Sequence, residues 1–536
     1  MSEKRYRKPG EFPAGEEDFV SLRQRGCVYV DKTAYTYEMV QMKYIFLSRP
    51  RRFGKSLLCS TLEAYFQGKR DLFKGLAIDS PEMETEWKQY PVLRFCISLL
   101  KDLPIAEMPL ELKRQLSEYE KIYGKDEAAV ACGSRLASLI KRAHQQTGLQ
   151  TVVIIDEYDS PMLKHMHDTK ENRDEVRRIL QEFYGPLIAC AADLRFVFIT
   201  GITKFSQMSI FSTINNLTNI SMDTAYAHLC GITQSEFEAT FMDDVERLAQ
   251  SLKMTPEQCY VELKRWYDGY HFCEDSEDIY NPYSVMKVFA QQKIRDYWFD
   301  SGTCTFLLEE MQRLDTQIQK VDGAEVPENA FNQPVQTMTN ALPLIYQSGY
   351  LTVKDYDDII KTYTLGIPNN EVRTGLMENI LPMMTQTNAS DNTTYSTGII
   401  ASLKKNQYDE AMEYLRAFLS SIPYLQQGEP LLEDLERLEV LYQNYLYIFF
   451  HGMGYQVRTE PHMAKGRVDE VLWIGDHIFV FEFKMSASCQ SAIDQIDTRQ
   501  YIEPWRCGPV RITKCAVQFS AKDRTIKDWK FVEVED

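Results

Sequence analysis

The sequence predicts an α/β protein of more than one domain: a parallel-sheet domain first, a helix-rich middle, and a smaller α/β domain at the C-terminus. Three observations carry this. Tyr44-Ile45-Phe46-Leu47-Ser48 is an apolar run that passes through a basic loop into a helical pattern at Leu57, Leu58, Leu62 and Phe66. Thr151-Val152-Val153-Ile154-Ile155 is a β-branched run ending in Asp156 and Glu157, as in a strand buried on both faces with polar groups at its carboxyl end. Near the C-terminus, Gly466-Arg467-Val468-Asp469 precedes a second apolar run, Phe479-Val480-Phe481-Glu482-Phe483-Lys484.

At 536 residues the chain exceeds one ordinary core, and two or three domains are expected. Hydrophobic content of 44% and charged content of 26% are those of a globular protein. The first residues, MSEKRYRKPGEF, lack an apolar core, and no uncharged apolar run reaches the length of a membrane span, so a cytoplasmic chain without a membrane partner is expected. The 12 cysteines form no C-x-x-C pair, which suits reduced thiols rather than a disulfide or zinc framework. A net charge of −17 argues against broad affinity for nucleic acid and leaves room for a local basic groove.

In the first motif, Arg49-Pro50-Arg51-Arg52-Phe53-Gly54-Lys55-Ser56, a loop between strand and helix points backbone N–H groups at an anion. Gly54 and Lys55 would cradle phosphates, and Ser56 would ligate Mg²⁺. The pattern departs from the usual phosphate loop, because Arg49 stands where a glycine is expected and Pro50 removes an N–H donor. Arg49, Arg51 and Arg52 either contact phosphate through their guanidinium groups or form a basic face paired with acids; both readings are open. Asp156 would hold Mg²⁺, directly or through water, and Glu157 would polarise an attacking water. A third strand, Leu194 to Thr200, leads into Gly201-Ile202-Thr203-Lys204, where Thr200, Thr203 or Lys204 would sense a γ-phosphate. Val28-Tyr29-Val30-Asp31 reads as a short strand and turn near the nucleotide base.

In the C-terminal motif, Asp469 is expected to end one strand. Glu482 and Lys484, two apart on a second strand, share a face turned away from Phe481 and Phe483. Carboxylates so grouped suit a hard cation, and the ammonium could orient or deprotonate a water or offset transition-state charge. A helix from Leu435 toward Gly454 carries Glu439; a second, through Ala492-Ile493-Asp494-Gln495-Ile496 to Tyr501, carries Gln495.

This order of helix, strand, strand and helix, with Glu439, Gly-Arg-x-Asp, Glu-x-Lys and Ala-x-x-Gln-Ile-x-x-x-x-Tyr, resembles the PD-(D/E)xK nuclease superfamily. More narrowly, it resembles the C-terminal module of a bacterial group that pairs this fold with an AAA-like ATPase, with Ile493 replacing the usual Leu. Val28-Tyr29-Val30-Asp31-Lys32-Thr33, the segment Phe46 to Ser56, and Leu72-Phe73-Lys74-Gly75-Leu76-Ala77-Ile78 resemble the AAA-ATPase-like partner in that group. The resemblance covers nearly the whole chain and implies that the missing glycine is a family trait.

It implies an AAA-like P-loop domain at 1–230, a mainly helical lid or middle region at 231–375, a helical connector at 376–430 and a nuclease-like domain at 431–536. It further implies ATP with Mg²⁺, or Mn²⁺ in its place, and nucleic acid, DNA first, as partner; a homo-oligomer stays open. Asp469, Glu482, Lys484 and Glu157 would serve catalysis, with Glu439 and Gln495 in support. Arg51, Arg52, Gly54, Lys55, Ser56 and Asp156 would bind nucleotide, and Asp469, Glu482, Ser56 and Asp156 metal. The expected activity is ATP-dependent or ATP-gated hydrolysis of DNA phosphodiesters; the alternative is a nucleotide-switched binding ATPase whose nuclease-like module does not cut. Aromatic clusters at Trp266 to Tyr270, Tyr280 to Tyr283 and Tyr297 to Gly302 are read as packing before base-stacking. Residues 386–397, rich in Asn and Thr, read as an exposed loop.

Overall fold

Strands rich in Val, Ile and Phe with no polar alternation must be covered on both faces, and the computed structural model places four of them side by side. It describes all residues except 1–6, 81–82, 205–216, 302–304, 315, 317–319, 334–337, 386, 423–434, 453–454, 460, 464–465, 507 and 535–536. Gly302 and Gly454 therefore lie outside the described residues. The chain separates into two compact units, one of Met1–Thr316 with Gly323–Asn369, the other of Gln317–Asp322 with Asn370–Asp536.

The first unit is built on β1 (Tyr44–Ser48), β2 (Val92–Cys96), β3 (Thr151–Asp156), β4 (Leu194–Gly201) and β5 (Thr218–Asn219). They form a five-stranded sheet of order β2-β3-β4-β1-β5, and every pairing is parallel. All carboxyl ends therefore share one edge, the edge where open α/β sheets bind ligands. Because β4 lies between β1 and β3, the loop after Ser48, the acids after Ile155 and Thr200 meet there.

The middle of this unit holds helices Gln234–Leu252, Pro256–Tyr267 and Pro282–Gln291 with short strands β6 (Ile232–Thr233) and β7 (Ile279–Tyr280). Capping boxes start two of the helices, Thr233 with Glu236 and Thr255 with Gln258. Tyr267, Tyr270 and Tyr280 are fully buried, and Phe237 stacks on Tyr280 at 4.5 Å, so these aromatics are core. A three-stranded sheet of β8 (Ala324–Pro327), β9 (Thr352–Asp357) and β10 (Thr362–Gly366) completes the unit.

The second unit contains β11 (Gln456–Thr459), β12 (His462–Met463), β13 (Gly466–Arg467), β14 (Glu470–Ile474), β15 (His477–Lys484), β16 (Arg511–Ser520) and β17 (Thr525–Glu533). The main sheet runs β11-β14-β15-β16-β17 and is antiparallel except for the parallel pair of β15 and β16. Helix Leu435–Gly452 covers one face, with Phe450 near Phe481 and Tyr442 stacked on Phe519 at 4.5 Å. Helix Cys489–Arg499 covers the other, where Ile493 and Ile496 pack with Val471, Val480 and Ala516.

Three local expectations are corrected. Of residues 386–397, 386 lies outside the described residues and the rest are no exposed loop: helix Ala389–Lys404 starts there, capped by Asn388, whose side chain accepts from Ser390 N. Polar composition hid it, and the ring of Tyr395 lies 6.2 Å from that of Phe418. Val28 to Asp31 is not a strand but an extended segment. Asp31 there accepts from Thr33 N and from Ala77 N, tying down a turn. Asp469 does not end a strand; it lies between β13 and the start of β14. The β14–β15 pairing is antiparallel, with Glu470 opposite Phe481, so the beginning of one strand adjoins the Glu-x-Lys end of the other.

Candidate functional site

In the first unit, helix Lys55–Phe66 starts from Gly54 at φ +88°, the left-handed region that favours glycine. A Cβ there would meet nothing within 4 Å, so the requirement is conformational rather than steric. Lys55 is buried, and its Nζ donates to the carbonyls of Arg49 at 3.0 Å and Pro50 at 2.9 Å. The loop thus binds its own lysine across the turn that would hold a phosphate.

Arg49 answers to neither sequence reading. It is 2% exposed and donates to the carbonyls of Ser48 at 3.0 Å, Ser221 at 2.5 Å and Tyr226 at 3.1 Å, with its guanidinium 4.4 Å from the Phe272 ring centre. It braces the loop from beneath, since carbonyl dipoles and a ring face take the place of a carboxylate around a buried cation. Arg51 and Arg52 do line the cavity above the loop. Arg52, at φ +66°, lies 3.6 Å from the Tyr283 ring centre and donates to Tyr297 O at 3.1 Å.

That cavity, of about 530 Å³, joins Gly54, Lys55, Ser56 and Glu157 to an apolar end formed by Val28, Tyr29, Val30, Ile232 and Met286. A Gly-Lys-Ser loop and a group of apolar side chains thus line one cavity, the two kinds of surface that a nucleotide would need. Asp156 is 3% exposed; the Ser56 side chain hydrogen-bonds to it, and Arg94 approaches its Oδ2 at 3.9 Å. Its Oδ1 is buried and, among the described residues, has no hydrogen-bond partner. Burial raises its pKa, opposed by the Ser56 bond. Glu157 sits at φ +53°, a conformation uncommon for a non-glycine residue and found where structure over-determines the backbone.

Of the three sensor candidates, Thr200 donates to Leu47 O at 2.8 Å, tying β4 to β1, and Thr203 donates to Asp159 at 2.6 Å. Lys204 lies 5.2 Å from the Phe331 ring centre, and burial lowers its pKa to about 8. Arg94 and Asp159, which carry no motif signal, join this edge only through the parallel register.

In the second unit, Lys484 Nζ donates to Glu482 Oε1 at 2.8 Å, and Gln495 Nε2 donates to the same oxygen. Glu482 is 1% exposed, and among the described residues its Oε2 has no hydrogen-bond partner. Phe483 N donates to Asp469 Oδ2 at 2.6 Å, fixing the aspartate beside the Glu-x-Lys. Burial first, then the charge of Asp469, pushes Glu482 up to about 7, with Glu439 adding to the rise and Lys484 opposing it. Glu439, Asp469, Glu482, Lys484 and Gln495 are therefore gathered at one edge.

A Cβ at Gly466 would stand 2.8 Å from the Tyr501 hydroxyl, so only glycine lets that tyrosine close on the turn before Asp469. Glu470 is fully buried, and its carboxyl is pushed well above the usual range by burial and then by Asp469. It shares the Phe481 face and so points away from Glu482.

Among the described residues no group of three or more His, Cys, Asp or Glu side chains could hold an ion alone. The orphan oxygens of Asp156 and Glu482 suit Mg²⁺, which takes one or two carboxylates and keeps several waters.

Residues 13–211 match the AAA-ATPase-like family, described as "Predicted AAA-ATPase", and residues 437–529 match the PD-(D/E)XK nuclease superfamily. The "Uncharacterized protein in vnfD 5'region" of Azotobacter chroococcum mcd 1 is 30% identical over 535 residues, covering 96% of this chain and 98% of that one. The chain belongs to the AAA-ATPase-like family. Its AAA-ATPase-like segment contains Lys55, Ser56, Asp156 and Glu157, and its PD-(D/E)XK segment contains Glu439, Asp469, Glu482, Lys484 and Gln495. Among the described residues no helix of this family member is long and apolar enough to cross a membrane.

Proposed function

We propose that the chain binds ATP at the loop of Gly54, Lys55 and Ser56, and that its C-terminal module hydrolyses DNA phosphodiesters under control of that nucleotide. The observation that carries the nuclease reading is the Glu482 carboxylate: Lys484 and Gln495 hold one oxygen, while the other is buried, unpartnered and beside Asp469. Such an acceptor costs stability unless something cationic completes it.

Mg²⁺ or Mn²⁺, held by Asp469 and Glu482, would supply positive charge that acidifies water and neutralises a scissile phosphate. Lys484 orients that water or offsets charge in the transition state, Gln495 fixes the Glu482 rotamer, and Glu439 adds to the local negative field. In the first unit Lys55 would exchange its loop carbonyls for nucleotide phosphate, Ser56 and Asp156 would hold Mg²⁺, and Glu157 would polarise water.

The loop itself favours a second reading, a nucleotide-switched protein that does not cut, since Pro50 offers no N–H and Arg49 is spent on carbonyls. Purified protein incubated with linear, circular and single-stranded DNA, with Mg²⁺ or Mn²⁺ and with or without ATP, separates the two. Cleavage that Lys484→Ala abolishes and Lys55→Ala uncouples from ATP supports the nuclease; ATP turnover with no cleavage of any DNA supports the switch.

A further inference from the structure

The nucleotide cavity has a wall that no phosphate-loop motif marks. Helix Phe19–Gln24 is capped by Asp18, which accepts from Val20 N at 3.1 Å and Ser21 N at 3.3 Å. The same turn is pinned to the phosphate-loop helix: Ser60 Oγ donates to Asp18 Oδ1 at 3.2 Å and accepts from Phe19 N at 3.0 Å. Phe19 is fully buried between Tyr29, at 5.4 Å, and Phe73, at 4.9 Å, so the anchor is rigid.

Ser60 follows Ser56 by four residues on that helix, so the two share a face. Pinning Asp18 and Phe19 at Ser60 leaves the preceding residue, Glu17, at the Ser56 end of the cavity. Glu17 lines that cavity together with Lys55, Ser56 and Glu157. Its neighbour Glu16 also lines the cavity, but its carboxylate is paired with Arg25 at 3.0 Å and accepts from Ser21 Oγ at 3.1 Å. Burial and then the charges of Asp156 and Glu157 raise the Glu17 pKa, against the pull of Arg94 and Lys55.

Glu17 and Glu157 on the cavity wall therefore share a field with Asp156, where a nucleotide's terminal phosphates would add more negative charge. Asp156 contributes a buried oxygen with no partner. Such an arrangement repels itself and a metal-free nucleotide, and a divalent cation reverses the sign of both effects.

We propose that Glu17 is a positioning residue of the nucleotide site, accepting a hydrogen bond from the hydration shell of the Mg²⁺ that Ser56 and Asp156 would hold. It makes nucleotide binding depend on the cation. The role rests on the ATP reading above. A direct ligand role is not needed, since Mg²⁺ keeps several waters whose protons seek outer acceptors.

The test is titration of the full chain with a fluorescent ATP analogue, in excess Mg²⁺ and in EDTA, comparing the unsubstituted protein with Glu17→Gln and Glu17→Asp. Glu17→Gln should bind metal-free nucleotide about threefold to tenfold more tightly, because one repelling charge is gone. Its gain from Mg²⁺ should shrink, with a higher Mg²⁺ concentration at half effect, while Glu17→Asp keeps the cation dependence. Thermal melting should show Glu17→Gln at least as stable as the parent. Equal weakening with and without Mg²⁺, or unchanged Mg²⁺ dependence, would overturn the role of Glu17 alone. Failure of the unsubstituted protein to bind nucleotide would overturn the ATP reading and this role with it.

Discussion

The two charged edges differ in what holds their charges. At the phosphate loop, cations are engaged by backbone: Lys55 by the carbonyls of Arg49 and Pro50, and Arg49 by those of Ser48, Ser221 and Tyr226. At the C-terminal edge, side chains hold side chains, Lys484 and Gln495 on Glu482, with Asp469 tied to a strand N–H. Lys55 lines the cavity and could exchange its two carbonyls for a phosphate, whereas Arg49, buried beneath the loop, stays with its carbonyls. A lysine paired with a buried carboxylate is committed, and the pair waits for a second cation. On the proposed reading the first edge would receive a nucleotide with its cation and the second a metal alone.

The strongest break in this comparison is Lys484→Ala. Removing a charge that acts on the reacting phosphate should cost at least about a hundredfold in cleavage rate, with DNA affinity largely kept, as read by cleavage and binding on the same protein. Next is Arg49→Ala, which strands buried carbonyls and opens a void beside Phe272. It should destabilise the first unit by about 3 kcal/mol, seen as a lowered denaturation midpoint, whereas Arg51→Ala should leave stability within about 0.5 kcal/mol. Gln495→Ala should weaken Mn²⁺ binding about tenfold by releasing the Glu482 rotamer, measured by calorimetry.

The smallest effect is a pH slope. Glu482 is raised to about 7, chiefly by burial, so its carboxyl is neutral in the metal-free protein below that value. The stability it contributes is full below the unfolded carboxyl range and is lost as pH rises through about 7. Melting temperature should therefore fall between about pH 4.5 and pH 7 without metal and level off above, and added Mg²⁺ should offset the fall. Glu482→Gln should flatten that slope. Cleavage should rise as pH passes through about 7, since the ionised carboxylate is the one that would hold a cation.

Much of the fold was legible because it is written in period. The runs at Tyr44 to Ser48, Thr151 to Asp156 and Leu194 to Gly201 are strands, and alternation alone put Glu482 and Lys484 on one face. Register was not legible: whether Asp469 ends one strand or opens another depends on an antiparallel pairing that the sequence does not state. Nor was the duty of Arg49, since a basic residue in a phosphate loop looks the same whether it faces the cavity or the carbonyls beneath it. Helix Ala389–Lys404 was hidden by Asn, Ser and Thr, residues that favour loops until one of them caps. Glu17 gave no signal at all, because its place is fixed by Asp18 and Ser60, 42 residues apart.

Cleavage of linear duplex DNA with Mn²⁺ and ATP, comparing the unsubstituted chain with Glu482→Gln, tests the central claim most directly. The exchange keeps the shape of the side chain and its contacts with Gln495 while removing the charge that would hold the metal. If Glu482 holds the metal, the first protein cuts only with metal and the second does not cut. Equal cutting by both, or none by either while ATP is bound, would contradict it.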